Sequence, residues 1–123
     1  MDTQQQTVNR RAIQIKAKLF RGFSDPSRLS IIEALRDGRK SVGELVESTG
    51  LTQPNVSNHL RCLSDCDLVR NVRKGRHIYY RLSDERIHSI LDQSEQLLSD
   101  VAKGVYECTR YEVTGTSTAE STS

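Results

Sequence analysis

This sequence predicts a mainly α-helical domain carrying one small β-hairpin, on three observations. Several stretches repeat apolar residues at helical spacing. Two short β-favouring runs, residues 68–73 and 77–82, are parted by Lys74-Gly75-Arg76. A tight turn, Leu51-Thr52-Gln53-Pro54, joins two helices just ahead of that pair. The order is helix, helix, helix, tight turn, helix, hairpin, long helix, which is that of a winged helix-turn-helix.

Each element has a local cause. Residues 1–9 are polar and read as a flexible arm. Over residues 10–23, Ala12, Ile13, Ala17, Leu19 and Phe20 make a helical but imperfect apolar pattern. Ser24-Asp25-Pro26 marks the next helix start. An Asp side chain accepts from the free N–H groups of a first turn, and Pro has no N–H to leave unmet there. Leu29, Ile31, Ile32 and Leu35 carry that helix to about Arg36, and Asp37-Gly38 ends it. Ser41 with Glu44 forms a capping-box pattern, Leu45 and Val46 face inward, and Gly50 stops the helix. Thr52 caps the following helix, QPNVSNHLRCLSDCDL, with Pro54 in its first turn.

The hairpin comes next, with a basic tip. Ser83 and Asp84 cap a last helix, in which Ile87, Ile90, Leu91, Ser94, Leu97, Leu98 and Val101 recur at spacings of three and four. This narrow stripe spans about two and a half heptads and suits packing on the domain or on a second copy of the chain. Residues 10–105 are expected to form one domain. Residues 106–123 form a tail carrying Cys108, disordered beyond about 115, where it reads GTSTAESTS.

Composition narrows the function. The chain has 123 residues, the length of one domain, and a net charge of only +2. No apolar run approaches the roughly 20 residues of a membrane helix, and the N-terminal MDTQQQTVNRR lacks the apolar stretch of a signal peptide. A cytoplasmic location without membrane contact is expected. The net charge hides a partition. Residues 9–40 hold nine basic against three acidic side chains, and residues 69–82 hold five basic and none acidic. Residues 83–123 hold three basic against eight acidic. Two basic blocks offset by an acidic end suit either a polyanion partner or plain solvated surface.

The helix after the tight turn is the candidate DNA reader. On a wheel of about 100° per residue, Val56, Leu60 and Leu63 form a buried stripe, and Gln53, Ser57 and Arg61 form a polar stripe on one flank. Gln pairs with adenine, Arg with guanine, and Ser with base or phosphate. Asn55 and Asn58 lie early in the helix, where groove contact concentrates. Arg73, Lys74, Arg76 and His77 of the hairpin suit phosphate or minor-groove contact. The alternative for each is a face that is merely wet.

Three cysteines cannot close a disulfide set. Cys62 and Cys66 stand four apart on the same helix, on the flank away from the polar stripe, so their thiols are neighbours. Two sulfurs make a poor site for a soft metal, but Cys108 would supply a third and suit Cd, Pb, Hg, Zn or As(III). The alternative is small buried hydrophobes. His59, on that flank, reads as a core or capping histidine. No base–nucleophile pair or glycine-rich phosphate loop is visible, so an enzyme is not expected.

These residues carry a resemblance. Asp25-Pro26-Ser27-Arg28-Leu29-Ser30-Ile31-Ile32 resembles the "DPTRxxIL" segment of the ArsR/SmtB family. Pro54-Asn55-Val56-Ser57-Asn58-His59-Leu60 resembles its "SxHL" motif, and residues 75–82 resemble its "G+xxxYxL" wing. The likeness covers about residues 12–105. It implies a homodimeric winged-helix repressor that binds operator DNA when metal-free and releases it when metal binds, with dimer contacts from the first and last helices.

Members differ in where metal sits. The Cys-x-Cys of one type is absent from Val42-Gly43-Glu44-Leu45-Val46-Glu47-Ser48. The Asp-x-His and later His pair of the zinc type are not matched by Asp84, Arg86, Leu97 and Asp100, and His88 stands alone. Residues 57–69 instead match the "SNHLxCLxxCxLV" run of the cadmium- and lead-sensing branch. That likeness implies a Cys62/Cys66/Cys108 site for Cd(II) or Pb(II), or for Zn(II). It also implies that Cys108 reaches across a dimer. A thiol redox repressor of the same fold is the main rival, and Asp65 and Asp67 beside Cys66 disfavour the thiolate it needs.

Overall fold

The computed structural model describes residues 8–107. The first seven residues of the arm, and the tail from Cys108 onward, lie outside the described residues. The elements run α1 (Arg10–Ser24), α2 (Pro26–Ala34), a 3-10 turn (Leu35–Asp37), α3 (Val42–Thr49), α4 (Gln53–Asp65), β1 (Val69–Lys74), β2 (His77–Leu82) and α5 (Arg86–Glu107). The chain divides into two compact units between Ile87 and His88.

The predicted caps set the boundaries in the first unit. Asp25 accepts from the Arg28 N–H at 3.0 Å and starts α2, with Pro26 in its first turn. Ser41 and Glu44 exchange both bonds of a capping box, at 2.9 and 3.1 Å, and start α3. Thr52 starts α4 by accepting from the Asn55 N–H at 3.3 Å. Helix α2 is central, packed by α1, α3 and α4. Its Ile31 and Ile32 are fully buried, with Leu35, Leu45, Val56, Leu60, Leu63, Leu68, Val69 and Leu82 completing the core. Each such side chain contributes about 1.5–3 kcal/mol on burial. Val46 is half-buried, so it faces inward less fully than Leu45.

β1 and β2 pair antiparallel from Val69↔Leu82 to Lys74↔His77. The turn between them is therefore two residues, Gly75-Arg76, not the three that the sequence indicates. Gly75 takes φ 62°, the conformation that side chains resist and that two-residue hairpin turns need. The pairing also has an unpredicted member. Lys40 makes an isolated bridge with Tyr80, adding one residue of strand to the outer side of β2.

Two further expectations are corrected. α4 ends at Asp65 and not at Leu68, because the chain turns left-handed at Asp67 (φ 61°). Ser83 does not cap α5; its Oγ donates to the Asp67 carbonyl at 2.7 Å, and Asp84 alone accepts from the Arg86 N–H, at 2.8 Å. The imperfect apolar pattern of α1 shows in its exposure: Ala12, Ile13, Ala17 and Phe20 are exposed, Leu19 is half-buried, and the residue buried there is Gly22. In the second unit, described by itself, Ile90, Leu97, Leu98 and Val101 are exposed and the helix is kinked at Val101.

Candidate nucleic-acid interface and thiol pair

The rotation of α4 follows from its buried stripe. Val56, Leu60 and Leu63 are at most 2% exposed, as the sequence predicts. Gln53, Asn55, Ser57, Asn58 and Arg61 are consequently all exposed. α3 and α4 flank the tight turn, so the exposed polar face belongs to the second helix of a helix-turn-helix. His59 is half-buried, and its Nε2 lies 4.0 Å from Asp25 Oδ2. It thus sits against the start of α2, as a structural histidine would.

The hairpin register separates the four wing residues. Arg73, Lys74, Arg76 and His77 are all exposed. Successive strand residues point to opposite faces, so Lys74 and His77 share one face with Arg70, Arg81 and Tyr79. Arg73 takes the other face, with Ile78, Asn71 and Tyr80. Reading the runs by strict alternation would have found Arg70 and Arg81. Arg70 is already engaged: its Nε and Nη2 donate to the two Asp67 oxygens at 3.2 and 3.3 Å. Those bonds and the attending charge hold the Asp67 carboxyl below its ordinary range and raise Arg70.

The thiols stand at the other end of α4. Cys62 is exposed on the helix, and Cys66 is the half-buried residue that closes it, its N–H donating to the Cys62 carbonyl at 3.1 Å. The chain then ends the helix with two crossed bonds, Asp67 N–H to Ser64 carbonyl and Leu68 N–H to Leu63 carbonyl, both 2.9 Å. That is a Schellman stop, with buried Leu68 and Leu63 as its apolar contact. Asp takes the left-handed position that glycine usually holds, and no simple sequence signal marks it. The described residues include two of the three predicted ligands, one helical turn apart; Cys108 lies outside them. Among the described residues no group of three His, Cys, Asp or Glu side chains could hold a metal ion. The two thiols one turn apart fit a soft ion if a third donor comes from elsewhere.

Comparison with known proteins places this geometry. Residues 25–71 match the profile described as "Bacterial regulatory protein, arsR family". The chain is 36% identical over 94 residues to a probable mercury resistance operon repressor of Streptomyces lividans, covering 76% of this chain and 75% of that one. It is 42% identical over 82 residues to the HTH-type transcriptional regulator CmtR of Mycobacterium tuberculosis, covering 67% and 70%. The solution structure of that cadmium metal-sensor superposes with a TM-score of 0.57 at 43% identity, over 63% of this chain and 80% of that one. NolR from Sinorhizobium fredii superposes with a TM-score of 0.68 at 28% identity, over 75% and 95%. No helix among the described residues is long and apolar enough to cross a membrane. The chain belongs to the ArsR family of bacterial regulatory proteins: a winged helix-turn-helix transcriptional regulator that binds DNA, not an enzyme.

Proposed function

We propose that this regulator is a metal-responsive repressor whose effector is Cd(II) or Pb(II), bound by Cys62, Cys66 and Cys108. One observation carries the reading: Cys62 lies on α4 and Cys66 closes it, and the same helix carries the exposed polar face of Gln53, Ser57 and Arg61. Whatever gathers the thiols therefore acts on the helix that meets DNA. A relative named as a cadmium metal-sensor and another named as a mercury resistance repressor support a thiophilic ion. A soft divalent ion would supply a thiolate-anchored link between α4 and the segment carrying Cys108.

The chain's own residues do the rest. Gln53, Asn55, Ser57, Asn58 and Arg61 contact the groove, and Arg73, Lys74, Arg76 and His77 contact the backbone. Cys66 caps α4, and the next residue, Asp67, is tied to the wing through Arg70 and Ser83. A link from Cys66 to Cys108 would act on this junction between α4 and the wing. The protein acts as a cytoplasmic homodimer, with residues 10–105 binding DNA and dimerising. The exposed Ile13, Ile15 and Phe20 of α1, and Leu97 and Leu98 of α5, support a second copy.

The test is a DNA-binding assay on the duplex upstream of the gene, across Cd(II), Pb(II), Zn(II), Hg(II) and As(III), with thiolate-to-metal absorption followed in parallel. Cys62→Ser, Cys66→Ser and Cys108→Ser are each expected to keep DNA binding and lose metal-driven release. Full release in Cys108→Ser removes that residue from the site. A second reading, release on thiol oxidation, is favoured by the exposure of Cys62. Release by peroxide with a disulfide on non-reducing gels, and none by metal, selects it.

A further inference from the structure

Two backbone bonds draw the chain before α3 onto the wing. The Lys40 N–H donates to the Tyr80 carbonyl at 2.9 Å, and the Tyr80 N–H donates to the Lys40 carbonyl at 2.7 Å. Neighbours in extended chain point to opposite faces. With Lys40 across from Tyr80, Arg39 belongs to the face of Tyr79. The side chains agree: the guanidinium carbon of Arg39 lies 4.8 Å from the Tyr79 ring centroid, within cation–π reach. The His77 ring stands beside the same tyrosine, 6.2 Å between centroids and tilted by 44°.

This face of the wing therefore collects Arg39, Arg70, Lys74, His77 and Arg81. Like charges set directly across strands, as Arg70 and Arg81 are, lower stability. A bound polyanion offsets that cost. Two of the arginines are partly engaged within the chain. Arg70 holds Asp67, and Arg81 Nη1 donates to the Leu82 carbonyl at 3.1 Å. Arg39 differs: its guanidinium sits over the Tyr79 ring. A guanidinium held over a ring by cation–π attraction still has N–H groups available for a phosphate. The contact also reduces the side-chain freedom that binding would have to remove.

The geometry points to Arg39 as a DNA-phosphate contact outside the helix-turn-helix and the hairpin, held in place by Tyr79. It rests on the wing's being part of the DNA interface. Such a contact adds affinity and sets position without reading sequence.

The experiment uses the full chain and two unrelated mixed-sequence duplexes of about three helical turns each. Anisotropy is followed between about 50 and 200 mM salt. Arg39→Ala is expected to weaken binding by the same factor on both duplexes and to make the slope of log K against log salt shallower by about 0.9. Tyr79→Phe keeps the ring and behaves as wild type. Tyr79→Leu keeps the charge and frees it, so affinity falls while the slope stays. Because Arg39 is exposed, Arg39→Ala keeps the wild-type melt. Unchanged affinity and slope in Arg39→Ala overturn the inference, and so does a loss confined to one duplex, which marks base reading. A wild type that binds neither duplex defeats the DNA-interface reading instead.

Discussion

His59 Nε2 stands 4.0 Å from Asp25 Oδ2, so helix α4 meets the residue that starts the central helix α2. The same carboxylate oxygen accepts from the Arg28 N–H at 3.0 Å. Two motifs far apart in sequence therefore join at one oxygen. The contact is partly exposed, and even a charged pair so placed contributes at most about 1 kcal/mol. The cap is the firmer of the two contributions.

Asp25→Ala is expected to lower unfolding free energy by about 1 kcal/mol, and Asp25→Asn, which still caps, by much less. Urea melts of both variants measure this. The carboxyl is held below its ordinary range chiefly by the Arg28 backbone N–H, with the charges of Arg28 and His59 adding to it against a desolvation cost. A depressed folded value adds stability above the unfolded value of about 3.9, lost as pH falls through the folded one. Wild type should therefore lose stability below about pH 4, and Asp25→Asn should lose less over that window. Parallel acid limbs would contradict the assignment.

The helical part of the fold was legible because its signals are local. Asp25, Ser41 and Thr52 cap as their sequence contexts indicate, and Val56, Leu60 and Leu63 bury as their spacing requires. What was not legible depends on distant partners. Lys40 becomes strand only because Tyr80 presents its backbone, and Ser83 leaves its capping role because the Asp67 carbonyl is within reach. The polar face of α4 and the Cys62/Cys66 pair were visible as spacing. The cation–π contact of Arg39 with Tyr79 was not, because it joins residues far apart in the chain.

Gly22 tests how closely α1 approaches the end of α4. A Cβ at this position would lie 2.6 Å from Leu68 Cδ1, and Leu68 is buried. Gly22→Ala gains about 1 kcal/mol of helix propensity but overpacks at a cost of about 1–3 kcal/mol. The net expectation is destabilisation. Leu68→Val makes room, so the double variant should be more stable than the two singles predict, with a coupling of at least about 0.5 kcal/mol. A thermal-melt cycle that proves additive would show that α1 does not sit this close.

The exposed apolar side chains bear on assembly. Phe20 on α1 and Leu97 on α5 are 56% and 62% exposed. If a second copy covers them, Phe20→Glu and Leu97→Glu should each move the sedimenting species from dimer toward monomer. DNA affinity should fall as the dimer dissociates. A wild type that is monomeric at micromolar concentration argues against the dimer directly.

The hairpin tip offers a salt test independent of Arg39. Lys74 and Arg76 are exposed beside a turn that Gly75 shapes. Lys74→Ala with Arg76→Ala should make the salt slope of DNA binding shallower by about 0.9 for each phosphate no longer neutralised. Arg61→Ala on α4 should instead relax discrimination between operator and mixed-sequence DNA, because base contacts carry the sequence information. An unchanged slope in the hairpin variant would take the tip out of the interface.

The Asp67 junction links Cys66 to the wing, and it offers a test of the proposed coupling between metal and DNA. Its φ of 61° suits glycine better than any side chain, and its carboxylate holds Arg70 while its carbonyl takes the Ser83 hydroxyl. Asp67→Gly keeps the backbone turn and removes only the tie to Arg70. It should bind Cd(II) and DNA separately much as wild type does, yet show a smaller loss of DNA affinity when Cd(II) is added. By reciprocity, DNA should then weaken Cd(II) binding by the same reduced factor. Asp67→Val should lower the melting temperature more than Asp67→Gly, because a β-branched side chain resists the left-handed turn. Paired titrations of Cd(II) and DNA, each with and without the other, measure the factor. A value equal to wild type would show that the signal from the thiols does not pass through Asp67.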